Sequence, residues 1–172
     1  TMKINRSIRA ISIIALSLTV LITVFPLSMP NPAKQVVGSG ERADEFRLTL
    51  AATEDENGVD GQATFVDTYK NAKLKLDIID ISIVSTDRIA QLVGVVTSTT
   101  GGTFAHFPTG EKVTFFVEDN GEGNDSIPDG FSLPNEKPGK PKPGGSTFPE
   151  VVHGNFRVTG TSDKGEVIEV PK

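Results

Sequence analysis

The residues best suited to chemistry lie in one stretch, 118–131, which reads Glu118-Asp119-Asn120-Gly121-Glu122-Gly123-Asn124-Asp125-Ser126-Ile127-Pro128-Asp129-Gly130-Phe131. Seven of its side chains, Glu118, Asp119, Asn120, Glu122, Asn124, Asp125 and Asp129, end in acid or amide oxygens. Glycine, asparagine, aspartate and proline together make turns, so the stretch is expected to be a loop. Hard oxygen ligands on a flexible loop suit Ca²⁺. Asp125 to Asp129 resembles the second half of a calcium repeat, but Gly121 and Gly123 stand where two acids belong. The EF-hand spacing fails as well, because Phe131 falls where the bidentate Glu is required. A calcium site here would therefore be irregular, with Asp119, Asn124, Asp125 and Asp129 as its ligands. The competing expectation is a solvated hairpin loop whose side chains cap its own turns.

Other chemistry has fewer candidates. The histidines are His106 and His153. Triad catalysis needs a base held against a nucleophile, and the sequence holds no nucleophile-elbow motif. His106, between Phe104 and Phe107, reads as a half-buried strand residue, and His153 as an outward one. Asp77 and Asp80 interrupt an apolar stretch and could be paired carboxylates, although solvent exposure or a bulge accounts for them better. Sugar binding on a sheet usually uses exposed aromatics. Trp is absent, Tyr69 is the lone tyrosine, and Phe116 and Phe148 are the remaining candidates for such a platform.

Composition narrows the classes. The chain has 172 residues and no cysteine, so neither disulfides nor thiolate chemistry can contribute. Residues 1–34 hold four bases and no acid, leaving 13 bases against all 22 acids and a net charge of −9 beyond that point. Such a domain repels phosphate backbones, and nucleic acid is not an expected partner.

The elements follow from pattern. Lys3, Arg6 and Arg9 precede an uncharged apolar run at 10–25, closed by Pro26, as in a secretory signal. The run is shorter than the ~20 residues of a spanning helix. The reading is a signal peptide or N-terminal anchor at 1–34, a linker at 35–43 rich in Gly38, Ser39 and Gly40, and one β domain at 44–172. The membrane is then met only through an uncleaved N-terminal segment. Within the domain, Phe46, Leu48 and Leu50 alternate with polar residues, as do Leu74 and Leu76, and Val113, Phe115 and Val117. Further strands are expected at 62–69, at 78–84 after a break near Asp77 to Asp80, at 90–98, within 99–110, from Phe131 and at 151–158, with a last edge strand or a frayed tail at 166–170. Gly94 suggests a bulge or a close backbone approach. Residues 134–149, with five prolines and three glycines among lysines, read as a mobile Pro/Gly/Lys insertion. About eight short strands without helical periodicity predict an all-β antiparallel sandwich or barrel-like fold, preceded by a signal helix.

Three segments share their order with a known family. They are Gly61-Gln62-Ala63-Thr64-Phe65, the strand into Asp119-Asn120-Gly121-Glu122-Gly123 with Asp129-Gly130-Phe131-Ser132-Leu133, and the closing His153-Gly154-Asn155-Phe156-Arg157-Val158. Over about residues 45–160 the chain resembles the post-COAP domains, small secreted β domains of prokaryotic cell-surface proteins. The insertion at 134–149 is longer than in that family. The resemblance implies a secreted or surface accessory module and no enzymatic activity.

The expected function is a non-enzymatic, extracellular or cell-surface β module with structural or interaction roles, calcium being the one cofactor the acidic loop suggests. Its partner would be a surface protein or a polysaccharide. A carbohydrate-binding module is the alternative, and a small extracellular hydrolase the third reading.

Overall fold

A computed structural model describes residues 34–84, 88–121, 128–136 and 147–160. Its elements are strands β1 (Lys34–Arg42), β2 (Phe46–Asp55), β3 (Gly58–Asp67), β4 (Ala72–Ile83), β5 (Ile89–Thr100), β6 (Lys112–Glu118), β7 (Gly130–Phe131) and β8 (Val151–Gly160). They form one antiparallel sheet in the order β7-β6-β5-β4-β3-β2-β1-β8. The first seven strands are a meander, and β8 returns to pair with β1. A bridge from Gly130 to Glu150 nearly closes the sheet on itself. The chain is thus all-β and barrel-like, with no helix among the described residues.

Period-two patterning decides which face turns inward. Ala72, Leu74, Leu76 and Ile78 of β4 are buried, while Lys73, Lys75 and Asp77 are exposed. Leu48, Leu50 and Ala52 do the same in β2. The interior is filled by aromatic rings. Phe65 meets Phe115 edge-on at 5.0 Å and Phe131 at 6.3 Å, and Phe131 meets Phe156 at 5.9 Å. Full burial of each such side chain contributes about 1.5–3 kcal/mol.

Residues 35–43, expected as a linker, are instead strand β1, flanked by β2 and β8. Its glycines are packing positions. A Cβ at Gly38 would stand 2.9 Å from the Phe156 ring, and one at Gly40 2.7 Å from it. The inward row Lys34, Val36, Gly38, Gly40, Arg42 leaves room for that ring and puts a cation at each end. Lys34 Nζ donates to the Ile81 carbonyl at 2.9 Å and pairs with Glu54 at 3.1 Å. Arg42, buried, donates to Asp44, Glu136 and the Phe131 carbonyl, and lies over the rings of Phe46 and Phe131.

Further expectations change. The break near Asp77 to Asp80 is a bulge within one strand, with Ile78 opposite Gly94 and Asp80 opposite Val93. The extra residue, Ile79, is exposed, and the alternation resumes at Ile81 in the opposite phase. Gly94 faces inward where a Cβ would lie 3.0 Å from that of Leu76. Strand β3 begins at Gly58, and Tyr69 lies beyond its end in an exposed turn, 80% accessible. No strand forms within 101–110. Successive turns there bury Phe104 and Phe107 and leave His106 exposed.

The ends of the 134–149 segment belong to the fold. Asn135 and Thr114 exchange two hydrogen bonds along the edge of β6, and Phe148 is buried. Residues 137–146 lie outside the described residues. So do 1–33, which carry the expected signal, and 166–170, which carry the expected last strand.

Candidate functional site

The acidic stretch begins at the end of β6 and ends at the start of β7, where the sheet must close against β8. β6 and β8 are not joined by a continuous ladder. Carboxylates fill the gap. Asp129 Oδ2 accepts the Phe156 N–H at 2.6 Å, and Asp129 Oδ1 accepts the Asn120 N–H at 2.9 Å. Asp119 Oδ2 accepts the Val158 N–H and Oδ1 the Gly121 N–H, both at 2.9 Å. Main-chain bonds add to this where Val151 N–H donates to the Asp129 carbonyl at 2.8 Å. Glu118 Oε2 accepts the Thr147 N–H at 2.8 Å and ties down the segment entering β8.

Glu118, Asp119 and Asp129 are all buried, with 5–6% of their surface accessible. Phe156 and Val158 are two residues apart on one strand, so their N–H groups leave the same edge about 6.8 Å from each other. Asp129 and Asp119 therefore stand side by side along β8. Burial, the largest cause, pushes the Asp129 carboxyl above its ordinary value. The two N–H donors pull it down, and the neighbouring charges of Asp119 and Glu118 push it up again. Arg88 Nη1 approaches Asp119 Oδ1 at 3.6 Å, but its side chain is 60% exposed, and such a pair contributes at most ~1 kcal/mol.

Of the four expected calcium ligands, the structure brings Asp119 and Asp129 together. Asn124 and Asp125 lie outside the described residues. All four oxygens of the two described carboxylates already accept a main-chain N–H. No group of three or more His, Cys, Asp or Glu is arranged to hold a metal ion among the described residues.

The remaining candidates separate. Asp77 is exposed on the outer face, 3.5 Å from Gln62 Nε2, and Asp80 sits at the β4 bulge. Phe116 points outward by phase but is covered, its ring stacked on that of Phe148 at 5.3 Å and 13°. These two rings bury one another instead of forming a platform. Beside them the buried Gln91 Nε2 has no hydrogen-bond partner among the described residues.

His153 is exposed on β8, as expected. It lines an open depression of about 220 Å³ with Ser39, Gly40, Glu41, Arg47 and Gly154. Sequence reading missed this group because its members come from three strands whose pairing was unknown. It also missed Asp67, whose carboxylate accepts from Thr103 Oγ1 and the Lys70 N–H and so holds the β3–β4 turn to residues 101–107. The Thr103 bond, with the Lys70 N–H next, holds the Asp67 carboxyl below its ordinary value.

No protein-family model, curated protein or solved structure matches this chain.

Proposed function

We propose that this chain is a non-enzymatic β module of the cell surface or extracellular space that acts through its outer faces, in line with its resemblance to the post-COAP domains. The observation that carries this reading is the use made of its acids. A hydrolase directs an acid–base pair or nucleophile into a cleft. Here Asp119 and Asp129, two of the buried acids, spend their oxygens on the amides of β8 and of their own loop. The interior beneath them is filled by Phe65, Phe115, Phe131 and Phe156. Export is supported by the charged and apolar pattern of residues 3–25.

The test joins localisation to turnover. The full chain, tagged at its C-terminus, should appear in the medium or on the cell surface. The purified protein should sediment with whole cells and release neither reducing ends nor new amino termini from envelope preparations. Release of either, abolished by His153→Ala or Asp77→Asn, would instead identify an enzyme.

A further inference from the structure

The outer face of the β2–β1–β8 wall carries a second constellation, apart from the seam. Register puts Glu41 between Arg47 on one side and His153 on the other. In the next outward row Ser39 lies between Thr49 and Asn155. Strands are ~4.8 Å apart and outward residues recur every ~6.8 Å along each, so the two rows make a compact polar grid. Its floor is main chain. Gly40 and Gly154 face each other across the pair, and Gly154, at φ 111°, lies so close to the Ser39 carbonyl that the position admits no Cβ. A bulge adjoins it, because Glu41 pairs with His153 but Arg42 pairs with Val151. The extra residue turns Val152 and His153 outward together, Val152 being 52% exposed. Bulges commonly re-aim side chains beside functional sites.

The chemistry of the grid selects its ligand. Arg47 donates through Nε and Nη2 to one oxygen, Glu41 Oε2, at 3.2 and 2.6 Å. That leaves Glu41 Oε1 to accept and Arg47 Nη1 to donate. The His153 imidazole and the Ser39 hydroxyl can each do either. The ion pair is neutral as a unit. An anion would meet Glu41 within a domain that, from Lys34 onward, has a net charge of −8, and a cation would meet Arg47. An uncharged molecule dense in hydroxyls offends neither. The volume of about 220 Å³ lies below the ~300 Å³ at which pockets for drug-sized ligands begin, so the depression itself seats about one ring.

We propose that this depression binds a single uncharged sugar residue of a polysaccharide through Glu41, Arg47, His153 and Ser39. The inference rests on reading the chain as a non-enzymatic surface module and names its partner class. With so few exposed hydrogen bonds, the dissociation constant for one site is on the order of 1 mM.

The full chain, ¹⁵N-labelled, is titrated to millimolar excess with tetrasaccharides of glucose, mannose, galactose and N-acetylglucosamine, and with trigalacturonate. Saturable shifts at the amides of Ser39, Glu41, His153 and Gly154 are expected with at least one neutral probe. Arg47→Ala and Glu41→Gln should each weaken that binding at least fivefold while the unfolding midpoint stays within about 1 °C. Three results would overturn the proposal: no saturable shift with any probe, shifts centred on Tyr69 and His106, or trigalacturonate binding that strengthens in Glu41→Gln. Shorter products appearing during the titration would overturn the non-enzymatic reading instead, and they are told apart by the ligand's own signals.

Discussion

The wall from β2 to β5 and the seam between β6 and β8 hold the same barrel by different means. Along the wall, β2 and β3 pair without interruption from Phe46–Asp67 to Asp55–Gly58. No single bond there matters much, since each backbone bond contributes about 1 kcal/mol net and has neighbours to share the load. At the seam, two carboxylates receive the amides of Phe156 and Val158. Charge-assisted bonds of this kind are roughly twice as strong as neutral ones. They also set acid side chains against an otherwise open strand edge, which discourages pairing with another chain. A barrel closed by side chains concentrates in a few residues what a ladder spreads over many.

The interior shared by wall and seam sets the upper limit of any perturbation. Phe65 of the wall packs on Phe115 and Phe131 of the seam side. Phe65→Ala should cost about 4 kcal/mol in denaturant unfolding, enough to endanger the whole fold. The next effect tests the comparison itself. Asp129→Ala removes the acceptor of the Phe156 amide and should cost about 3 kcal/mol, because a charge-assisted bond goes and a buried N–H is left unpaired. Asp129→Asn should fall between, since its amide keeps one oxygen and turns a donor toward a donor. Thr49→Ala, on the exposed face of the wall, should stay within about 0.5 kcal/mol. Hydrogen exchange sharpens the contrast: in Asp129→Ala the amides of Phe156 and Val158 should lose protection before that of Leu50. Equal loss at all three would mean that wall and seam open as one unit.

The wall was readable from sequence and the seam was not, for a physical reason. Alternation such as Leu74-Lys75-Leu76 reports which face of a strand is wet, and that is enough to place β2, β4 and β6. It says nothing about partners. Gly38, Ser39 and Gly40 have the composition of a linker, and only the Phe156 ring across the pair shows why glycine is required. Asp119 and Asp129 carry the signature of a polar loop, and their burial depends on β8, about thirty residues further along. The same holds for Glu41, Arg47 and His153, which register alone assembles. Phe148 was masked by its proline-rich surroundings, although its partner Phe116 was visible as a phenylalanine out of phase with the core.

Acid titration should separate wall and seam by sign. Asp67, at the end of β3, has a lowered carboxyl. Its contribution is present above the ordinary carboxylate value of 3.8 and is lost as pH falls through the lowered one. Asp129 has a raised carboxyl, so the folded state holds that proton more tightly than the unfolded chain. Its contribution falls as pH rises from 3.8 toward the raised value. Thermal unfolding between about pH 2 and pH 6 should therefore show a shallower acid loss in Asp67→Asn than in the wild type. In Asp129→Asn, itself less stable, the acid loss should be steeper than in the wild type. Parallel curves for all three proteins would remove both assignments.

The smallest expected effect concerns calcium, and it asks whether the seam is a latch complete in itself. The five acids of the stretch, Glu118, Asp119, Glu122, Asp125 and Asp129, repel one another unless water, donors or a cation relieve them. For Asp119 and Asp129 the donors are on hand: the amides of Val158, Gly121, Phe156 and Asn120. A cation would have to share those oxygens and draw its remaining ligands from Asn124 and Asp125. At ten times its dissociation constant, a bound ion would add about 1.4 kcal/mol, or several degrees in a domain of this size. A latch built on amides predicts melting curves that agree within about 1 °C in millimolar Ca²⁺, in Mg²⁺ and in chelator. A rise specific to Ca²⁺ and abolished by Asp125→Ala would show that the seam is locked by metal as well as by main chain. The protection of the Val158 amide would then rise with calcium, whereas a cation bound to the loop but away from the seam would leave it unchanged.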